Sequence, residues 1–252
     1  MTLPEPDFLT VGTGAAARRI AWRHVPGREP TIVWLGGFKS DMKGTKAEAL
    51  AAFAARTGRA FLRFDYSGHG ESEGSFQEGT ISRWSEEAAA MVARAGPRPV
   101  LVGSSMGGWI ALLVARRMAI PPTAMVLIAP APDFTEALMW PSFPEEVRRT
   151  IMAEGCWIRP SAYDPGGYPI TRALIEDGRR NLVLGGLVET GCPVHILQGM
   201  QDPDVPWRHA MLLAEKIARD DVVLTLVKDG DHRLSRDEDI ARLEEAVAAM
   251  AP

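Results

Sequence analysis

Cysteine is scarce in this chain of 252 residues: Cys156 and Cys192 are the only two, and they form no C-x-x-C pair. A disulfide framework and a thiolate zinc site are thereby excluded, and reduced, unreactive thiols are expected. No apolar run approaches the ~20 residues that a membrane helix needs. The first residues, Met1-Thr2-Leu3-Pro4-Glu5-Pro6-Asp7, have neither the basic nor the apolar region of a secretion signal, so a cytoplasmic protein is expected. The net charge of −4 is spread without a basic stripe, which argues against nucleic acid as a partner. Neither G-x-G-x-x-G nor a P-loop lysine follows a strand, which removes nucleotide binding. No internal repeat or low-complexity segment is present. Nothing in the sequence specifies an oligomeric state.

What remains is an ordinary globular composition, 46% hydrophobic and 24% charged, sized for one domain with one core. Short β-branched runs at 18–24, 31–35, 60–64, 100–102, 124–128, 193–197 and 222–227 read as strands. Alanine-rich amphipathic stretches at 43–57, 82–95, 109–118, 207–218 and 236–250 read as helices. Their alternation predicts an α/β fold with a mostly parallel central sheet flanked by helices. Residues 8–11 and 18–24, joined through Gly12-Thr13-Gly14, predict an antiparallel hairpin at the sheet edge. The alternation breaks once. Residues 131–190 are proline-rich and apolar, with a Tyr163-Asp164-Pro165-Gly166-Gly167-Tyr168 turn, and are expected to form a small cap inserted into a core of 1–130 and 191–252. Trp140, Phe143 and Trp157 in that insertion, with Trp207 beyond it, are candidate linings of a substrate pocket, although single aromatics there more often fill a cap's own core.

Gly103-Ser104-Ser105-Met106-Gly107 lies between a predicted strand and a predicted helix, the setting of a nucleophile elbow. Chance alone produces G-x-S-x-G in about one chain in ten of this length, so the flanking strand and helix carry the argument. Ser105 is the candidate nucleophile, and a serine hydroxyl needs a base and an orienting acid. Of His24, His69, His195, His209 and His232, only His69 and His232 fall on predicted loops. His232 follows the last strand and is the candidate base. His69 belongs to the glycine-rich turn Asp65-Tyr66-Ser67-Gly68-His69-Gly70, which suggests close backbone packing rather than proton transfer. Asp202, after the strand at 193–197, is the favoured acid, with Asp204 and Asp231 as alternatives. The order Ser, Asp, His differs from that of the chymotrypsin and subtilisin triads. Two backbone amides should hold the developing oxyanion, Met106 after the nucleophile and Phe38 in the Leu35-Gly36-Gly37-Phe38-Lys39 turn.

Together these residues resemble the α/β-hydrolase superfamily over roughly residues 31–233. A narrower resemblance is to its palmitoyl-protein thioesterase and acyl-glucuronide esterase group and their bacterial relatives. It rests on Gly37-Phe38-Lys39-Ser40-Asp41-Met42-Lys43-Gly44, Arg63-Phe64-Asp65-Tyr66-Ser67-Gly68, Leu101-Val102-Gly103-Ser104-Ser105-Met106-Gly107-Gly108-Trp109, Asp202-Pro203-Asp204-Val205-Pro206-Trp207 and Asp231-His232-Arg233. The resemblance implies an α/β-hydrolase fold with a Ser105, Asp202, His232 triad, an acyl-enzyme mechanism and a small acyl ester, thioester or glucuronide as substrate. That chemistry calls for no metal or cofactor. The alternatives are a broad short-chain carboxylesterase, a small-molecule receptor that keeps the triad without turnover, and a cofactor-free lyase or haloperoxidase on the same scaffold.

Overall fold

The computed structural model describes residues 5–160 and 166–251. Eight strands form one sheet in the order β1-β2-β4-β3-β5-β6-β9-β10. The strands are β1 (Asp7–Val11), β2 (Arg18–Val25), β3 (Arg28–Leu35), β4 (Arg59–Phe64), β5 (Val100–Ser104), β6 (Ala124–Ile128), β9 (Val194–Gly199) and β10 (Val222–Val227). β2 runs antiparallel to β1 and β4, and every other pairing is parallel. The carboxyl ends of β3, β4, β5, β6, β9 and β10 therefore share one edge.

The central strands are apolar without a break because helices cover both faces. With a side-chain period of two, Ile32, Trp34, Val100, Val102, Val126 and Ile128 join the core under α1 (Thr45–Thr57) and α8 (Asp237–Met250). Val33, Leu35, Leu101, Met125 and Leu127 join the opposite core with α2 (Ile81–Arg94), α3 (Met106–Ala115) and α7 (Trp207–Lys216). All ten residues of α3 are buried, as an all-apolar helix requires. It starts three residues before the stretch that reads as helical in sequence. Gly107 and Gly108 are poor helix formers that mask this start, and they are needed there for close approach.

Between β6 and β9 the chain leaves the sheet. A π-helical turn over Thr135–Met139 runs into the short α4 (Trp140–Ser142), then α5 (Glu145–Glu154), the antiparallel pair β7 (Cys156–Arg159) and β8 (Tyr168–Thr171), and α6 (Arg172–Arg180). Thr171 Oγ1 caps α6 by accepting from the Leu174 amide at 3.1 Å. Of the turn expected at 163–168, residues 163–165 lie outside the described residues. The two ends of this stretch are joined to each other, the Asp133 carboxylate accepting from the Val183 and Leu184 amides at 2.8 Å, and its far end is tied to α3 by Trp109 Nε1, which donates to Asn181 O at 3.1 Å. Among the described residues no helix is long and apolar enough to cross a membrane.

Candidate active site

β5 passes into α3 through one residue, Ser105, whose φ of 52° and ψ of −116° are strained for a residue with a Cβ. The turn is possible because a Cβ on Gly103 would lie 2.5 Å from Gly107 O and one on Gly107 only 2.0 Å from Leu35 O. Backbone bonds fix the serine: its amide donates to Ile128 O (2.9 Å), and its carbonyl accepts from Gly108 (2.9 Å) and Ala131 (3.1 Å). The hydroxyl is left half-buried at the carboxyl edge of the sheet.

His232, in the loop between β10 and α8, brings Nε2 to 3.2 Å from Ser105 Oγ. Its Nδ1 lies 2.7 Å from Asp202 Oδ2, in the loop after β9. The Asp202 carboxylate is saturated with donors. Oδ1 accepts from the Asp204 and Val205 amides, both at 2.8 Å, and Oδ2 also accepts from Gln198 Nε2 at 3.1 Å. Gln198 is fully buried, and its Nε2 also donates to Gly199 O and Val205 O. Sequence reasoning missed it, because a glutamine at the end of a strand carries no pattern.

The alternative carboxylates are placed elsewhere. Asp204 is exposed and contributes only its amide, whereas Asp231 Oδ1 accepts from the Arg233 and Leu234 amides of its own loop (3.0 and 2.9 Å). Among the other histidines, His24 is exposed on β2, His195 on β9 meets Thr225 Oγ1 at 2.9 Å, and His209 in α7 donates through Nε2 to Pro132 O at 2.7 Å. His69 is buried beside the turn after β3, where its Nε2 accepts from the Lys39 amide at 3.1 Å.

That turn reaches Ser105 itself. A Cβ on Gly37 would sit 3.5 Å from Ser105 Cβ, so the backbone before Phe38 passes against Ser105. The Phe38 amide has no acceptor among the described residues, and Met106 opens α3, where first-turn amides have no intrahelical carbonyl to bond. The Phe38 ring is edge-on to Phe76, Phe134 and Tyr168, with centroids 4.9, 5.8 and 6.5 Å away. Phe134 and Tyr168 belong to the insertion, so its rings close over the turn from the outside.

The expected pocket aromatics scatter. Phe143 and Trp157 pack edge-on to each other at 5.3 Å, and Trp140 carries the Arg148 and Arg179 guanidiniums over its ring. Trp207 lines a shallow groove along α7 with Arg208, Met211, Leu212 and Glu215. Phe134 and Tyr168, neither of them a pocket candidate from sequence, stand nearer the turn. For a cation, Asp202, Asp204 and His232 could each offer an atom within 4.8 Å of the others, but Asp202 and His232 are already engaged with one another and with backbone donors. Burial pushes the Cys192 thiol up to about 12, so it is not a nucleophile near neutrality.

A profile of the alpha/beta hydrolase family matches residues 25–246. The chain belongs to that family. Palmitoyl-protein thioesterase ABHD10, mitochondrial, of Mus musculus is 35% identical over 223 residues, spanning 88% of this chain and 75% of the mouse protein. Among solved structures, "Putative hydrolase from Agrobacterium vitis S4" superposes with a TM-score of 0.95 at 50% identity, covering 98% of this chain and 99% of that one. Alpha/beta hydrolase domain-containing protein 10 from mouse gives a TM-score of 0.86 at 32% identity, covering 98% of each chain. This alpha/beta hydrolase therefore has hydrolases as relatives in both sequence and structure.

Proposed function

We propose that this alpha/beta hydrolase is a serine esterase or thioesterase working through an acyl-enzyme. The observation that carries the reading is the continuous chain Ser105 Oγ, His232 Nε2, His232 Nδ1, Asp202 Oδ2, with links of 3.2 and 2.7 Å. In this reading His232 takes the Ser105 proton as Oγ attacks the acyl carbon, and the Phe38 and Met106 amides hold the oxyanion. Each such donor typically lowers the barrier by about 3 kcal/mol. The leaving alcohol or thiol departs with the proton from His232, and water then repeats the sequence on the acyl-enzyme.

Residues 131–190 act as the cap in this proposal, and the Phe38, Phe76, Phe134 and Tyr168 rings favour an apolar acyl group. The mouse relative's name supports acyl thioesters as the first class to try, with acyl glucuronides and short-chain esters beside them. The relative is named as mitochondrial; for this chain a cytoplasmic setting, with Cys156 and Cys192 both free, stays part of the proposal. The test is hydrolysis of a chain-length series of p-nitrophenyl esters, a palmitoyl thioester and an acyl glucuronide by wild type and Ser105→Ala. The serine variant should lose on the order of 10⁵-fold in kcat. A variant as active as wild type would sink the mechanism.

A further inference from the structure

His69 has no part in the acyl transfer just described, yet its loop is built with care. Asp65 at the end of β4 ties the loop together, accepting from the Met42 amide at 2.6 Å and the Glu71 amide at 2.8 Å. Gly70, at φ +43°, lies against that carboxylate so closely that a Cβ would meet Oδ2 at 2.1 Å. The imidazole is thereby seated among Phe76, Trp84 and Tyr66, with ring centroids 5.0, 5.2 and 5.7 Å away, and only 4% of it is exposed. Both nitrogens face backbone. Nδ1 is 3.2 Å from Ser67 O, and Nε2 is 3.1 Å from the Lys39 amide. A carbonyl only accepts and an amide only donates, so the ring is neutral, with its proton on Nδ1 and its lone pair on Nε2 aimed at Lys39.

The Lys39 turn has a reason to need that lone pair. The Ser40 amide donates to Gly37 O at 3.2 Å, closing a four-residue turn with Phe38 and Lys39 in its centre. Lys39 sits at φ +60°, the positive value that a type II turn demands of its third residue and that glycine, not lysine, adopts freely. A lysine at this position favours the type I form, reached by flipping the Phe38–Lys39 peptide. The flip would swing the Lys39 amide away from His69.

We propose that His69 is a positioning residue for the oxyanion site: by accepting the Lys39 amide it locks the strained turn and so holds in place Phe38, whose own amide, on the preceding peptide, is one of the two oxyanion donors. The proposal rests on the serine-hydrolase reading above. Without the acceptor the Phe38–Lys39 peptide is free to flip, and the Phe38 amide on the peptide before it is held less firmly against the acyl oxygen, while apolar contacts with the substrate persist.

The experiment compares wild type, His69→Phe, His69→Gln and Ser105→Ala on a p-nitrophenyl ester. It adds inhibition by an acyl trifluoromethyl ketone, whose serine adduct carries an oxyanion. Glutamine can place Oε1 near the position of the imidazole Nε2, whereas phenylalanine fills the space and accepts nothing. His69→Phe should lower kcat by about tenfold, less than the loss of a whole oxyanion donor, with KM within about twofold and ketone affinity reduced in step, and His69→Gln should recover most of that loss. Unchanged kcat in His69→Phe, a kcat loss without a loss of ketone affinity, or glutamine no better than phenylalanine would overturn the proposal. If His69→Phe does not fold, the wild-type imidazole ¹⁵N spectrum decides: a protonated Nδ1 with a bare Nε2 near neutral pH is required, and a proton on Nε2 refutes it. Should Ser105→Ala keep its activity, the serine-hydrolase reading itself fails; if only the His69 variants behave like wild type, that reading stands and this inference falls.

Discussion

His232 and His69 each follow a strand into a loop at the same edge of the sheet, β10 in one case and β4 in the other, and their surroundings treat them oppositely. His232 keeps a quarter of its side chain exposed and places its nitrogens on a carboxylate and a hydroxyl. His69 is buried and places both nitrogens on backbone. A hydroxyl can give up its proton and a carboxylate can stabilise the resulting imidazolium. A peptide amide and a peptide carbonyl do neither at ordinary pH, so His69 has no partner with which to exchange a proton. On the function proposed above, the nature of the two partners, more than the imidazole or its loop, separates a base from a strut.

Replacing the partner of Nδ1 is the severest way to break the contrast. In Asp202→Asn the side-chain oxygen is needed by the Asp204 and Val205 amides, so the NH₂ group must face His232 Nδ1. That forces the imidazole proton onto Nε2, where it can no longer accept from Ser105. We expect kcat to fall by about 10⁴-fold with the fold intact, measured on the best p-nitrophenyl ester. Activity within about tenfold of wild type would mean that the carboxylate does not set the tautomer.

A smaller effect separates the two residues through stability. Burial is the main cause that lowers the His69 pKa from its ordinary 6.5 to about 4. The folded state therefore binds fewer protons than the unfolded state between those values, so the His69 contribution is fully present above about pH 6.5 and is lost as pH falls toward 4. The full contribution is about 3 kcal/mol. His195 and His209 are also lowered by burial and add the same sign, which makes the difference between wild type and His69→Gln the proper readout. Urea denaturation from pH 7 to pH 4.5 should show wild type losing stability more steeply than the variant. Parallel curves would place the acid sensitivity elsewhere.

The contrast was only half legible in the sequence. Runs such as 100–102 and 124–128 announce themselves because buried parallel strands leave no polar position to blur the pattern. Ser105, Asp202 and His232 stand out as chemistry-bearing types just past such runs. Asp204 and Asp231 could not be dismissed, because which of three nearby carboxylates turns toward an imidazole depends on loop hydrogen bonds that sequence spacing does not encode. The strand pair between β6 and β9 is illegible for a related reason: β7 and β8 have four residues each, too short for a period to register. Gly68 and Gly70 suggest close packing around His69, and the imidazole is buried. Its partner could not be read, since Lys39 lies thirty residues away and only folding of the two loops brings them together.

Gln198 sharpens the comparison at its finest grain. His69 has a carbonyl behind Nδ1 that the polypeptide itself holds still, whereas the carboxylate behind His232 Nδ1 sits on a side chain that can rotate. The Asp204 and Val205 amides hold Oδ1, and rotation about the last bond would still be opposed on the Oδ2 side by Gln198 Nε2 at 3.1 Å. Gln198→Met keeps the length of the side chain and removes that donor, so the oxygen facing His232 should wander. We expect kcat to fall about tenfold, or about 1.4 kcal/mol, with KM unchanged, because the lost interaction bears on the transition state and touches no part of the substrate. Gln198→Glu should lower kcat at least as far, since a second carboxylate beside Asp202 either repels it or takes a proton to remain buried, and it should also move the acidic limb of the kcat/KM profile. Two variants with wild-type kcat would show that the loop amides alone hold the carboxylate, and that His232, like His69, is oriented by backbone in everything but name.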